Sequence, residues 1–208
     1  MSLRPPLLAA LACAGLACAA ADARPRGRMP VRSLAELRSD GVVRQAFDLS
    51  CGAAALGTVL TEHGDPVSEP EVLAALARLT DPERVKAHGG FTLLDLKRYA
   101  VSRGYAAQGY GRLRLETLVP LAPALVPTLV AGQPHFMVFR GISDGRAVLA
   151  DPAFGNRSMT VAQFEELWTP RIAFVVSRPG APRPGAEAPT RPTVVPPEVV
   201  RGVLGGMR

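Results

Sequence analysis

The chain has 208 residues, enough for one domain with segments to spare, and its 48% apolar content places it among globular chains rather than disordered ones. The net charge of +6 comes almost wholly from arginine spread along the sequence, with a modest cluster at Arg24-Pro25-Arg26-Gly27-Arg28. Without basic runs interleaved with aromatics, that charge is expected to be solvated surface, and nucleic acid is not an expected partner.

The first two dozen residues are predicted to be a signal peptide rather than fold. Arg4 lies near the start, an apolar stretch runs from Leu7 to Ala21, and the triplet Ala21-Asp22-Ala23 precedes Arg24, so cleavage is expected after Ala23. The run is shorter than the roughly 20 residues a membrane-spanning helix needs. The mature chain, residues 24–208, is therefore expected in the periplasm or outside the cell. Cys13 and Cys18 would leave with the peptide, and the remaining Cys51 cannot form an internal disulfide. His63, His88 and His135 are scattered without the paired spacing of a zinc site, so no metal and no cofactor is expected.

Residues 24–40 form a polar lead-in, and Gly41 is expected to open a domain that runs to residue 177. A helix is predicted from Cys51, because Ala53, Ala54, Leu56, Val59 and Leu60 recur near helical spacing until His63-Gly64-Asp65-Pro66 stops them. A second begins in SEPEVLAALARL, where Ser68 and Glu71 make a capping box and Val72, Leu73, Leu76 and Leu79 form the apolar stripe. A third follows Gly89-Gly90, with Thr92 as cap and Asp95 three residues on, and with Leu93, Leu94, Leu96, Tyr99, Ala100 and Val101 expected inward until Gly104. Leu115 to Val119 adds a further turn.

After Pro127 the pattern changes. Thr128–Ala131, His135–Ile142, Ala147–Asp151 and Ile172–Ser177 are short apolar or alternating runs that predict strands. A helix near Val161–Trp168, capped by Thr160 with Gln163, interrupts them. Helices first and an antiparallel sheet second make an α+β fold. Residues 178–208 are proline-rich and poor in large apolar residues, and are expected to be a disordered tail.

The chemistry gathers around QAFDLSCGAAAL, Gln45 to Leu56. Cys51 is placed at the start of a helix, where unpaired N–H groups and the helix dipole favour a thiolate. A cysteine packed as a small hydrophobe is the competing reading. His135 begins a strand. If Ser143-Asp144-Gly145 is a three-residue hairpin loop, Ile142 faces Arg146, His135 faces Ala153, and Asp151 becomes the diagonal neighbour of His135 on the same face. A two-residue Asp-Gly loop would turn Asp151 to the other face. A carboxylate beside the imidazole could hold its tautomer while the other ring nitrogen takes the thiol proton. Gln45 could donate its amide to an oxyanion, beside the Cys51 N–H. His63 and His88 are rival bases, the first explained by a helix end and the second by a turn.

QAFDLSCGAAAL, GGFTLLDLKRYAVSRGY and HFMVFRGISDGRAVLADPAFG together resemble the bacteriocin-processing cysteine peptidases, papain-like domains that cut leader peptides after a double glycine. The resemblance covers about Val42 to Val176 and implies a papain-like fold. It implies Cys51 as nucleophile, His135 as general base and acid, Asp151 as orienting residue and Gln45 as oxyanion donor. It further implies a peptidase that cleaves after small, glycine-type residues through a thioester, and the predicted export signal, a departure from the transporter-fused members, makes that an exported peptidase. The chain is most similar to stand-alone periplasmic members encoded with secretion systems for functional amyloid or other surface proteins. Expected partners are thus a peptide or protein substrate, such as a secreted amyloid or surface protein, and secretion-system components, with no ATP. A peptidoglycan amidase or transpeptidase on the same scaffold, and a non-catalytic substrate-binding module, are the alternatives. In the tail, Gly205-Gly206 with Val203, Val200 and Val195 resembles the apolar anchors of such leaders.

Overall fold

The computed structural model describes residues 32–180. The stretch predicted to be a signal peptide, with the cleavage expected after Ala23, and the residues beyond 180 predicted to be a tail, with Gly205-Gly206, lie outside the described residues.

The elements in chain order are helices α1 (Leu34–Ser39), α2 (Cys51–Glu62), α3 (Glu69–Leu79), α4 (Pro82–Ala87) and α5 (Leu93–Ser102), strand β1 (Ala106–Tyr110), helix α6 (Leu115–Leu118) with a 3-10 turn at Val119–Leu121, strands β2 (Ala124–Val130), β3 (Gln133–Ser143), β4 (Arg146–Asp151) and β5 (Gly155–Thr160), helix α7 (Val161–Leu167) and strand β6 (Ala173–Ser177). The strands form one antiparallel sheet in the order β1-β6-β2-β3-β4-β5.

Side chains alternate across that sheet and split the core in two. On one face Leu125, Val138 and Phe174 meet Leu56, Val59 and Leu60 of α2, Val72 and Leu76 of α3, and Leu96 and Tyr99 of α5. On the other, Val126, Met137, Phe139 and Leu149 are covered by Phe164 and Trp168. The rings of Phe139 and Phe164 stack at 5.2 Å and those of Phe164 and Trp168 at 5.5 Å. The Trp168 indole N–H donates to the Ile172 carbonyl at 2.7 Å, so the one polar atom of a fully buried ring is satisfied.

Helix α2 is buried from Cys51 to Leu60. A helix apolar on every side belongs at the centre of a fold, and its small residues let neighbours come close. At Gly52, an added Cβ would stand 3.3 Å from the Phe136 ring.

The caps expected at Thr92 and Thr160 form complete capping boxes with Asp95 and Gln163, and Ser68 accepts from the Glu71 N–H. Three inward assignments are corrected: Leu79, Leu94 and Val101 are about half exposed. The stripes of α3 and α5 are narrower than the raw apolar count, because Leu76 and Leu96 already fill the space against α2.

Four elements go beyond the sequence reading. The lead-in contains α1, which has a Ser33/Glu36 capping box, and the start of the ordered chain therefore precedes Gly41. Asn156 on β5 donates to the carbonyls of Leu37 and Asp40 and so ties α1 to the sheet edge. Gly155, at φ +85°, lies directly against the Arg38 backbone, where no other residue would fit. Helix α4 starts at Asp81-Pro82, β1 is an edge strand, and β5 is the polar run GNRSMT.

The β3–β4 hairpin differs from the expected one and still reaches the expected alignment. Ser143 pairs with Arg146, so the loop is the two residues Asp144-Gly145, both at positive φ. That register alone would put Asp151 on the wrong face. A β-bulge between Phe139 and Gly141 then adds one residue, Arg140, to β3. Beyond it Phe139 pairs with Leu149 and Val138 with Ala150, the register that a three-residue loop would have set. Arg140 donates to the Glu62 carboxylate at 2.6 Å, to the Asn156 side chain, and to the Gly41 carbonyl at 2.6 Å.

Candidate active site

Cys51 is the first residue of α2, is buried, and is a free thiol. Its position follows from the loop before it. Ala46 N–H donates to the buried Glu69 carboxylate at 3.2 Å, and Gln45 N–H donates to the Pro152 carbonyl at 3.0 Å. The guanidinium of Arg44 donates to the Pro152 and Ala153 carbonyls. The segment that leads into α2 is thus fastened both to α3 and to the turn that follows Asp151.

His135 lies near the start of β3, and its Nε2 is 2.9 Å from Asp151 Oδ1 at the end of β4. The other ring nitrogen is left for the Cys51 thiol, with which His135 interacts electrostatically. Burial pushes the His135 pKa down. The hydrogen bonds and charges of Asp151 and Cys51 push it further up, to about 9. For Cys51, burial raises the thiol pKa, but the His135 hydrogen bond and charge, together with the backbone N–H groups of Phe136 and Gly52, carry it below its ordinary value. Opposite shifts in two interacting groups favour a thiolate–imidazolium pair.

Asp151 is fully buried, and burial by itself would favour its neutral form. His135 and Arg157 reverse that and hold its carboxyl below the usual range. Oδ1 also accepts from the N–H groups of Ala153 at 2.9 Å and Phe154 at 3.3 Å, while Oδ2 accepts from Arg157 Nη1 at 3.0 Å. The carboxylate therefore has four donors and one fixed orientation.

Gln45 is in the expected loop, with its amide turned inward along it. Nε2 donates to the Phe47 carbonyl at 3.2 Å, and Oε1 is buried with no hydrogen-bond partner among the described residues. One amide N–H remains for another acceptor. The rival histidines are engaged elsewhere: His63 Nε2 is 2.9 Å from the Val176 carbonyl, and His88 Nδ1 is 2.8 Å from the Arg84 carbonyl. The structure thus brings Cys51, His135 and Asp151 together and leaves His63 and His88 at their helix ends. Arg157, Arg44 and Ser50 escaped the sequence reading. An arginine in the polar run GNR, a second in VVRQ and a serine before a cysteine carry no pattern that marks them.

A thiolate at the start of a central helix, an imidazolium at the start of a strand and a carboxylate on the adjacent strand define a papain-like cysteine peptidase. The comparisons agree. The chain belongs to the Peptidase C39 family, whose model matches residues 39–180. It is 36% identical over 170 residues to "Probable functional amyloid protease FapD" of Pseudomonas aeruginosa, a match spanning 81% of this chain and 71% of that one. Among solved structures it is similar to a double glycine motif protease from an AMS/PCAT transporter in complex with the leader peptide. There the TM-score is 0.55 at 26% identity, over 65% of this chain and 89% of that one. The peptidase domain of Streptococcus ComA shares the fold at a TM-score of 0.53 and 21% identity, over 66% of this chain and 97% of that one. The protein is a cysteine peptidase of the Peptidase C39 family.

Proposed function

We propose that this peptidase acts after export and cleaves a secreted or envelope protein after a small, glycine-type residue. The observation that carries the catalytic reading is the 2.9 Å bond from His135 to Asp151, with Cys51 on the other side of the imidazole. Cys51 Sγ attacks the scissile carbonyl carbon, and the carbonyl electrons move onto oxygen. The Cys51 N–H and the free amide N–H of Gln45 donate to that oxyanion. As the tetrahedral intermediate collapses, His135 gives its proton to the leaving amine and the C–N bond breaks, which leaves a thioester on Cys51. His135 then takes a proton from water, the hydroxide attacks the thioester, and the carboxylic product leaves as the thiolate re-forms. Throughout, Asp151 keeps the second ring N–H and with it the tautomer.

Three features support the choice of substrate. The relative from Pseudomonas is named for a functional amyloid, the neighbour at 26% identity holds a leader peptide, and the N-terminal stretch Leu7–Ala21 has the character of an export signal. Phe47, Leu49 and Phe154 are exposed on the loops before Cys51 and after Asp151, where an extended peptide would pass. The test compares the N-termini of envelope and secreted proteins between the producing strain and its Cys51→Ala variant. A cleavage after a small residue that disappears in the variant is expected and names the substrate. Identical profiles would refute the reading.

A further inference from the structure

The helix that carries Cys51 begins differently from five of the other six helices. At α1, α3, α4, α5 and α7 the residue before the helix, Ser33, Ser68, Asp81, Thr92 or Thr160, turns its side chain forward and accepts from a backbone N–H of the first turn. Ser50 occupies the same position before α2, and its side chain makes no such bond. It turns backward. Its Oγ donates to the Phe47 carbonyl at 2.7 Å and accepts from the Phe47 N–H at 3.3 Å, and its own N–H donates to the Phe47 carbonyl at 3.2 Å. Ser50 is only 1% exposed, so these bonds form away from water and fix the direction of that carbonyl.

The Phe47 carbonyl is also the acceptor of the Gln45 amide, at 3.2 Å. An amide that donates one of its two N–H groups to a fixed carbonyl has the direction of the other set by planarity. Turning the amide over would bring Oε1 against the Phe47 oxygen, acceptor against acceptor. The backward turn of Ser50 has a second effect. A forward-facing hydroxyl would occupy a first-turn N–H of α2, among them the groups that face the thiolate and the oxyanion.

Resting on the catalytic reading above, we infer that Ser50 is a positioning residue for the oxyanion, which acts through the Phe47 carbonyl to aim the amide of Gln45 while leaving the first turn of α2 uncapped. Ser50 touches neither substrate nor thiol in this role.

The test uses 4-nitrophenyl acetate, an activated ester that requires an oxyanion donor and no peptide specificity, and iodoacetamide, which reacts with a thiolate without forming an oxyanion. Ser50→Ala and Gln45→Ala are each expected to slow acylation by about ten- to a hundredfold, toward the range seen when one oxyanion donor is removed. The double variant should be no slower than the slower single variant, because both act through one amide. The pH midpoint of iodoacetamide alkylation should stay at the wild-type value in all three, since His135, Asp151 and the α2 N–H groups are untouched. Ser50→Thr keeps the hydroxyl and should acylate within a few-fold of wild type, which supplies the comparison should Ser50→Ala fail to fold. Losses that multiply in the double variant, a Ser50→Ala rate equal to wild type, a Ser50→Thr rate as low as Ser50→Ala, or an alkylation midpoint that moves with the loss would each overturn the inference. The peptide-specific reading fails separately, on the protein N-termini.

Discussion

Replacing Asp151 by asparagine probes the electrostatics of the site most directly. The carboxylate serves three donors through Oδ1, namely His135 Nε2, Ala153 N–H and Phe154 N–H, and Arg157 through Oδ2. Asparagine can keep its oxygen on the first three only by aiming its NH2 at the Arg157 guanidinium, 3.0 Å away in the wild type. The flipped amide satisfies Arg157 and confronts the other three. In either orientation the imidazolium loses its anion. The pKa of His135 should then fall from about 9 toward its ordinary 6.5, or lower, because burial works against the cation. At pH 8 the protonated fraction drops from about nine-tenths to about one-thirtieth, a loss of roughly thirtyfold in the reactive pair, or about 2 kcal/mol. NMR titration of the His135 ring nitrogens reads the shift, and iodoacetamide alkylation against pH reads the pair. A His135 midpoint that stays near 9 in Asp151→Asn would refute the reasoning. The orientation argument has its own check: Asp151→Asn with Arg157→Met removes the opposing cation and should recover several-fold of the loss, whereas a slower double variant would contradict it.

The ion pair exists above the lowered pKa of Cys51 and below that of His135. Ester hydrolysis by the wild type should therefore fall as pH rises through about 9, where the imidazolium loses its proton; a rate that keeps climbing beyond pH 10 would mean a free thiolate acts without its partner. Gly155→Ala would force a side chain into the Arg38 backbone at a positive φ, and urea unfolding should show a cost of roughly 2–4 kcal/mol. Stability equal to wild type would mean that the α1–β5 contact yields freely.

Most of the helical half was legible in the sequence, because its signals are local. Thr92 with Asp95, Thr160 with Gln163 and the His63-Gly64 stop each lie within one or two turns of the element they bound. The missed elements lack an apolar pattern. Helices α1 and α4 bury no residue, β1 is an edge strand with little burial, and β5 is held by its pairing with β4 and by the polar contacts of Asn156 and Arg157. At the site, Cys51, His135 and Asp151 could be picked out because a helix start, a strand start and an adjacent strand constrain one another. The hairpin between them could not be worked out from turn rules alone. Asp144-Gly145 favours a two-residue loop, and a bulge is a tertiary feature whose cause, the partners of Arg140, comes from residues distant in the chain. Arg157 is legible only once β5 pairs with β4 and brings it to Asp151.

That bulge resembles a pinned dislocation in a crystal. The rows of β3 on the hairpin-tip side are out of step by one with the rows on the side of His135, and an unfastened defect of this kind could glide along the strand and carry the histidine out of alignment. Arg140 cannot glide, because its guanidinium is fastened at Glu62, Asn156 and Gly41. Glu62 is the last residue of the helix whose first residue is Cys51. One side chain therefore bolts the far end of the nucleophile's helix to the strand that bears the base. The spacing of the two reacting groups is a property of that rigid frame, assembled at the end of the helix remote from the chemistry.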